Sequence, residues 1–203
     1  MFIINALFFT GDWKYPFPPE STSDQPFTLA DGSTTLVPMM YQDSYGASFV
    51  KGEAFDAVDM PFADTSYSMT FVLPPPQVSL NDFIAGFSAD DLDDLYASLR
   101  TGRIFLHLPR FSMSYKQLLN ETLKGMGMEL AFDPQQADFS RLGQAPEGNL
   151  FISKVLHKTF LKIDEKGAEG AAVTSVGVGV TSLPPSIRFD RPFLFLIRHK
   201  DTG

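Results

Sequence analysis

The residues able to do acid–base, nucleophilic or metal chemistry are few and widely spaced. The 203 residues include three histidines and no cysteine, which excludes thiolate zinc sites, disulfides and a cysteine nucleophile. Neither G-x-S-x-G nor H-E-x-x-H occurs, and these are the spacings of serine hydrolases and zinc peptidases. Gly177-x-Gly179-x-x-Ser182 is half of a dinucleotide fingerprint, but Pro184-Pro185 follows where its helix should begin. We therefore predict no catalytic residue, no metal and no cofactor, and a protein that is not an enzyme.

Composition excludes two further classes of partner. Acidic residues number 24 against 16 basic ones, which gives a net charge of -8, and no cluster of basic residues occurs. The sequence therefore offers no positively charged surface for the phosphate backbone of a nucleic acid. No run of eighteen apolar residues offers a membrane span. With 44% hydrophobic and 20% charged residues, the chain is typical of a globular protein.

The segment from residue 165 to residue 183 is the most informative part of the sequence. After Glu169 come fourteen residues without a charge, a proline or an aromatic side chain. Small and β-branched residues of this kind form no amphipathic helix, but they can pair as a strand of roughly 48 Å at about 3.4 Å per residue. A flexible linker and an ordinary edge strand are the simpler interpretations of the same composition.

Short strands and a few helices must position this segment. Strands are predicted at residues 47–51, 55–60, 67–73, 104–108 and 150–163. The pair Asp31-Gly32 predicts a hairpin with a two-residue turn. Ser79 and Ser88, each followed three residues later by an aspartate, predict two helix starts, and the spacing of apolar residues predicts a third helix over residues 114–126. Irregularly interleaved strands and helices indicate an α+β fold.

Two apolar runs, at the ends of the chain, predict buried strands. Residues 2–9 lack period-two alternation and predict an interior strand covered on both faces. Residues 192–197 are apolar throughout and predict a central strand. Because residues 2–9 are too hydrophobic for an exposed end, the chain is expected to start inside a sheet.

Five motifs resemble, in chain order, those of the serpin family. They are Asn5 to Trp13, His107 to Arg110, Ser153 to Lys158, Glu165 to Ala172 and Leu183 to Phe195. The fourth resembles the hinge of the reactive loop, although Ala168 stands where Thr is commoner and Gly170 where Ala is commoner. The resemblance covers residues 2 to about 199. It implies a serpin-like α+β fold with mixed and antiparallel sheets, a few helices and an exposed reactive loop at residues 165–183.

The resemblance implies that the protein inhibits a serine protease as a suicide substrate. The family is known for inserting its cleaved loop as a new strand of the main sheet, here into a gap between residues 1–10 and 150–164. The hinge residues carried over from the family are Glu165, Gly167, Ala168, Glu169, Gly170, Ala171, Ala172, Val173 and Thr174. Alternate positions, namely Ala168, Gly170, Ala172 and Thr174, would enter the core, and all of them are small.

Counting from the hinge places the reactive bond between Thr181 and Ser182, with Val180 preceding the bond if the count slips by one residue. No Lys or Arg lies between residues 167 and 187, so a trypsin-like target is not expected. The small apolar residues before the bond suit an elastase-like or subtilisin-like serine protease.

Four other residues take roles from the resemblance. Trp13, the one tryptophan, would cap the region where the hinge first inserts, and His157 would join Asn5 in a hydrogen-bonded cluster at the opening point of the sheet. Each aromatic residue could equally be an ordinary core residue. Arg110 and Glu165 resemble a family ion pair at the base of the hinge. Asn120-Glu121-Thr122 matches a glycosylation pattern, which is discounted because it falls in a predicted helix.

The alternatives come from other functional classes. One is a non-inhibitory binding or carrier protein with a serpin fold, and another is a β-rich interaction module whose sheet edges pair with a second chain. The family resemblance leads us to expect an extracellular or exported protein that is a monomer when complete. Residues 1–203 are expected to be a partial domain, lacking the family's helical N-terminal half and its last C-terminal strand, and to be inactive alone.

Overall fold

The computed structural model describes residues 1–143, 146, 148–168 and 183–203. The chain divides into two compact units, one of Met1–Phe9 and Ser112–Leu161 and the other of Thr10–Phe111 and Lys162–Gly203. In chain order the strands and helices are β1 Phe2–Phe8, β2 Gly11–Asp12, β3 Ser23–Thr28, β4 Thr34–Lys51, β5 Asp56–Pro61, β6 Tyr67–Leu73, α1 Leu80–Gly86, α2 Ala89–Ser98, β7 Arg100–Pro109, β8 Phe111–Leu118, α3 Asn120–Leu123, β9 Lys154–Ile163, β10 Gly167–Ala168, β11 Ser186–Arg188 and β12 Leu194–His199. Short 3₁₀ turns cover Pro19–Ser21 and Glu129–Phe132. The α+β class is confirmed.

A three-stranded sheet in the first unit has the order β1, β9, β8. Strands β1 and β9 are parallel and in register from Phe2 opposite Lys154 to Phe8 opposite Phe160. The expected gap between residues 1–10 and 150–164 is therefore wrong for this state, because the two strands hydrogen-bond directly to each other.

Strand β1 is not covered on both faces as its composition predicts. On one side of the strand, Phe2 is 73%, Ile4 69% and Phe8 60% exposed, and on the other side Leu7 is 61% exposed. An apolar strand of this kind is buried only where other segments pack on both of its faces. No described residue covers both faces of β1.

A seven-stranded sheet in the second unit has the order β11, β7, β4, β5, β6, β12, with β3 paired to β4. The apolar strand β12 pairs only with β6 in the described part of this sheet, so its predicted central position is wrong here. The β3–β4 hairpin is confirmed, but its loop is longer than two residues, since Leu29 N donates to Ser33 O at 2.7 Å. Within this loop, Gly32 takes a positive φ of 83° and Asp31 does not.

Both predicted helix starts are confirmed, and the third helix predicted over residues 114–126 is right only in its second half, where α3 is followed by a π-helical turn at Lys124–Met128. The Ser79 side chain accepts from the backbone N–H of Asp82, and Ser88 and Asp91 form a reciprocal capping box. Residues 111–118 instead form strand β8. Phe111, Met113 and Tyr115 alternate with polar residues, and this period of two prevails over the helical spacing that also fits the segment.

Candidate functional site

The chain reverses direction between β9 and β10. Asp164 N donates to Gly167 O at 3.1 Å and Gly167 N donates to Asp164 O at 3.2 Å, while the Asp164 carboxylate accepts from Lys166 N at 3.0 Å. This closed turn reverses the chain, so that Gly167 lies antiparallel to Asp164.

Gly167 is required at this turn. Its φ is 127°, a conformation that L side chains rarely adopt, and an added Cβ would lie 2.6 Å from Trp13 N and 2.8 Å from the Asp12 Cα. It would also clash with the Gly11 carbonyl oxygen. A side chain at residue 167 would therefore push β10 away from β2.

Trp13 joins the hinge to the sheet of the second unit. Strand β10 pairs with β2 through Gly167 opposite Asp12 and Ala168 opposite Gly11. Trp13 N donates to Lys166 O at 2.8 Å, and Trp13 Nε1 donates to Asp164 O at 3.1 Å. The indole is 2% exposed and stacks on Phe62, with ring centroids 4.8 Å apart.

Glu165 is held at the base of the hinge by several contacts. Arg110 Nη1 lies 3.4 Å from Glu165 Oε1, which brings together the two residues predicted to form an ion pair. The same oxygen accepts from Thr22 Oγ1 at 2.7 Å, and the Glu165 carbonyl accepts from Phe17 N at 2.8 Å. Since the Glu165 carboxylate is largely buried and shared by two donors, it is better fixed than an exposed surface pair.

Sequence reasoning missed Thr22 and Phe17. Neither residue lies in a motif, and each is more than a hundred residues from Glu165 along the chain, so no local spacing reports the contact. Prolines at positions 16, 18 and 19 favour an extended backbone in residues 15–22. An extended segment of this kind can pack across another element, but the prolines do not indicate which one.

Asn5 and His157 lie opposite each other in the β1–β9 register. Side chains of directly opposed residues project from the same face of a sheet. No hydrogen bond joins these two side chains among the described residues, so their hydrogen-bonded cluster stays a prediction. Trp13 belongs to the other compact unit.

The remaining predicted site residues lie outside the described residues. They are the hinge positions Glu169, Gly170, Ala171, Ala172, Val173 and Thr174, and the reactive bond between Thr181 and Ser182. The chain is described again from Leu183 onward, and β11 begins three residues later.

The described ranges contain no group of three or more His, Cys, Asp or Glu residues able to hold a metal ion. No helix within those ranges is long and apolar enough to cross a membrane.

Together, the sheets and the turn define an α+β protein in which the chain leaves a parallel strand pair through a glycine turn anchored on a buried tryptophan. The profile of one family, described as Serpin (serine protease inhibitor), matches residues 1–203. The chain belongs to the serpin family.

Curated relatives and solved structures support the same family. The chain is 33% identical over 208 residues to human Serpin B11, covering 100% of this chain and 53% of that protein. It is 33% identical over 210 residues to the leukocyte elastase inhibitor of Xenopus laevis, covering 98% and 54% respectively. The crystal structure of human thyroxine-binding globulin in complex with thyroxine superimposes with a TM-score of 0.80 at 33% identity, covering 97% of this chain and 51% of that chain. The chain thus spans about half the length of these relatives.

Proposed function

We propose that residues 1–203 form the C-terminal half of a serpin domain that inhibits a serine protease as a suicide substrate. The protease cleaves between Thr181 and Ser182, and the freed hinge inserts between β1 and β9 while the enzyme is still bound through its acyl ester. The observation that carries the proposal is the glycine turn at residues 164–167, which leads directly from β9 into the hinge.

The direction of this turn supports insertion. A strand that leaves β9 through a tight reversal runs antiparallel to β9, and therefore also antiparallel to β1, because β1 and β9 are parallel. Antiparallel strands form the more stable ladder per residue. The inserted hinge would replace one parallel ladder by two antiparallel ones.

The net gain in hydrogen bonding follows from this replacement. Insertion breaks the pairing of the seven residues of β1 and makes two ladders, so about one additional ladder is gained. At about 1 kcal/mol net per hydrogen bond, that is on the order of five to ten kcal/mol before side-chain burial. The gain is comparable with the 5–15 kcal/mol that stabilises an ordinary domain.

Alternation along the hinge supplies the test. In the proposed insertion Ala172 enters the core, whereas Val173 points to solvent. Ala172→Glu would bury an unpaired carboxylate, which costs several kcal/mol. We expect Ala172→Glu, in the complete domain, to be cleaved by elastase without forming an SDS-resistant complex, whereas Val173→Glu should form the complex as the wild type does.

Gel electrophoresis after mixing each variant with active elastase distinguishes the outcomes. Complex formation by Ala172→Glu would show that the hinge does not enter the core as proposed. Simple cleavage of the wild-type protein, without a complex, would overturn the inhibitory function itself.

An elastase-like target rests on two observations. The residues before the proposed reactive bond are small and apolar, and one relative is named as an inhibitor of leukocyte elastase. We propose that the complete protein acts as a monomer, and an exported location stays a prediction.

A non-inhibitory binding or carrier function is the second candidate, and the similarity to thyroxine-binding globulin favours it. The two candidates differ in their response to loop cleavage. An inhibitor should melt at a much higher temperature after cleavage because the loop inserts. A melting temperature that stays the same after cleavage at residues 181–182 would favour the carrier function.

A further inference from the structure

Strand β11 ties the chain beyond the reactive bond to the larger sheet. It spans Ser186–Arg188 and pairs in parallel with β7, with Arg188 opposite His107. The chain leaves this pairing through a backbone hydrogen bond from Phe189 N to His107 O at 2.9 Å. In the described part of the sheet β11 is the edge strand, and β7 is the strand that holds it.

His107 stands at the end of this short pairing and is partly enclosed. Its ring lies against Tyr41 of the other neighbouring strand, β4, with ring centroids 4.9 Å apart. Its Nδ1 atom is buried and has no hydrogen-bond partner among the described residues. Because directly opposed residues project from the same face of a sheet, the Arg188 side chain shares the face on which the ring lies.

The charged groups on the β11 side favour a neutral ring. Burial, and after it the Arg188 guanidinium, lowers the pKa of His107, while Asp190 raises it to a smaller extent. The Asp190 carboxylate already accepts from Arg191 Nη1 at 3.1 Å. Arg188 donates to the neutral Gln25 side chain, and this hydrogen bond leaves its charge uncompensated. The His107 ring is therefore neutral at physiological pH.

The charged groups on β4 and β7 are engaged with each other. Asp43 accepts from Arg103 through both carboxylate oxygens, at 2.8 Å and 2.6 Å, so these two charges cancel. Burial raises the pKa of the Tyr41 hydroxyl, which therefore stays protonated at physiological pH. Arg188 and Asp190 are thus the charges that act on His107.

Protonation of His107 would put a second positive charge beside Arg188 in a half-buried site. A charge in such a site without a compensating partner is destabilised. Separation of β11 from β7 removes this cost, since it exposes the ring to water and moves Arg188 away. Strand β7 itself is held by β4 from Met39 to Phe49. The buried side chain of Ile187 opposes the separation, so β11 stays paired while the ring is neutral.

The reactive loop is tied at both ends while it is uncleaved. Strand β10 holds one end at Ala168, and β11 holds the other end from Ser186. Release of Ser186–Arg188 would add three residues to the free chain, which reach about 10 Å when extended. An uncleaved loop needs such additional length if part of it is to enter a sheet.

We propose that His107 and β11 form an acid-sensitive switch, in which protonation of His107 releases β11 from β7 and lengthens the free loop. The switch acts on the C-terminal anchor of the loop and does not require a protease. Its consequence for inhibition rests on the proposed function: after exposure to acid the uncleaved loop inserts, and the protein loses its ability to trap an enzyme.

Hydrogen exchange measured by mass spectrometry tests the release of β11. The sample is the complete serpin domain at pH 7.5 and at pH 5.5, with exchange rates corrected for the intrinsic effect of pH. We expect protection of the peptide covering residues 184–190 to fall by up to about tenfold at pH 5.5, roughly one unit below the ordinary pKa of histidine. His107→Gln should show no such change, because its side chain does not titrate.

Two further variants serve as controls. His199→Gln removes a histidine of the same sheet, on β12, and should keep the wild-type dependence on pH. Arg188→Gln removes the opposing charge but keeps a side chain able to hydrogen-bond with Gln25, so its loss of protection in acid should be smaller than that of the wild type. The Arg188 variant also tests the switch if His107→Gln fails to fold.

The consequence for inhibition has a separate measurement. Each protein is held at pH 5.5, returned to pH 7.5 and mixed with active pancreatic elastase. We expect the wild type to form less SDS-resistant complex the longer it has been in acid, although its mass shows that no bond has been cleaved. His107→Gln should keep its full capacity to form the complex.

The outcomes separate this inference from the proposed function. An equal loss of protection in wild type and His107→Gln, or no loss in either, would overturn the switch. Loss of protection in the wild type alone, combined with no complex with elastase before or after acid, would support the switch and overturn the inhibitory mechanism. Loss of protection without loss of trapping would overturn the proposed insertion of the uncleaved loop.

Discussion

Gly167 is the residue at which the strand β9 becomes the hinge. Its positive φ and the closeness of Trp13 N leave no space for a side chain, so the turn depends on the absence of one carbon atom. Trp13 and Glu165 hold either side of this turn through hydrogen bonds to backbone and side-chain groups.

Replacing Gly167 by alanine should therefore destabilise the base of the hinge. We expect Gly167→Ala to lower the free energy of unfolding by about 1–3 kcal/mol, the range for a residue forced into a disfavoured backbone conformation. Gly143→Ala is the matched control, because nothing lies within 4 Å of its added Cβ. Denaturant unfolding of the two variants measures the difference, and equal stabilities would contradict the required conformation.

His107 should make stability depend on pH. Burial lowers its pKa below the ordinary value of 6.5, and its Nδ1 atom has no hydrogen-bond partner among the described residues. As pH falls through 6.5 the unfolded chain binds this proton before the folded chain does, so stability decreases until pH passes below the folded-state pKa.

Unfolding experiments between pH 8 and pH 5 check this dependence. The wild-type free energy of unfolding should fall more steeply on acidification than that of His107→Gln, since the variant lacks the titrating ring. Parallel pH profiles for the two proteins would show that His107 does not titrate differently on folding.

The parallel pair β1–β9 is the element on which the proposed mechanism acts. Its seven residues per strand are fully paired, and an inserted strand must separate them. Leu7 and Thr159 are opposite in this register, and directly opposed residues have the Cα separation that a disulfide can span.

A Leu7→Cys/Thr159→Cys variant of the complete domain should lock β1 to β9 when oxidised. Residues 1–203 contain no other cysteine, so within them only this disulfide can form. We expect the oxidised form to be cleaved as a substrate and the reduced form to trap elastase, as judged by SDS-resistant complex. Trapping by the oxidised form would show that insertion does not require β1 and β9 to separate.

Elements with local signals could be predicted from sequence, and those that depend on distant partners could not. Ser79 and Ser88 predict the starts of helices α1 and α2, because a capping interaction involves only residues three positions apart in the sequence. The spacing of Tyr115, Leu118 and Leu119 also fits the helical period, so it predicts a helix where strand β8 forms. The hinge motif identifies Glu165 and the motif His107 to Arg110 identifies Arg110, but the contact of Glu165 with Thr22 depends on tertiary folding that no spacing encodes.

The chain as a whole spans about half of its relatives and leaves β1 with apolar side chains in contact with solvent. Phe2, Ile4, Leu7 and Phe8 are each at least 60% exposed. Such a strand is an aggregation hazard unless other segments cover it.

The isolated 203 residues should therefore not inhibit. We expect no SDS-resistant complex when they are mixed with elastase, and we expect light scattering to reveal self-association caused by β1. The complete domain, tested in parallel, should trap the enzyme and remain monomeric. Efficient trapping by the isolated chain would show that the segments covering β1 are not needed.

The pairing of β1 with β9 would also limit the rate at which a cleaved loop can insert. In the proposed mechanism, the acyl-enzyme formed on loop cleavage is hydrolysed at the protease's own deacylation rate, while insertion waits for the two strands to separate. The fraction of encounters that end in a trapped enzyme is then the ratio of the opening rate to the sum of the two rates. Substitutions that loosen the β1–β9 ladder should raise this fraction, and they should equally hasten spontaneous insertion of an uncleaved loop. A weaker β1–β9 ladder would thus raise the fraction of protease that is trapped, but it would shorten the lifetime of the active, uninserted state.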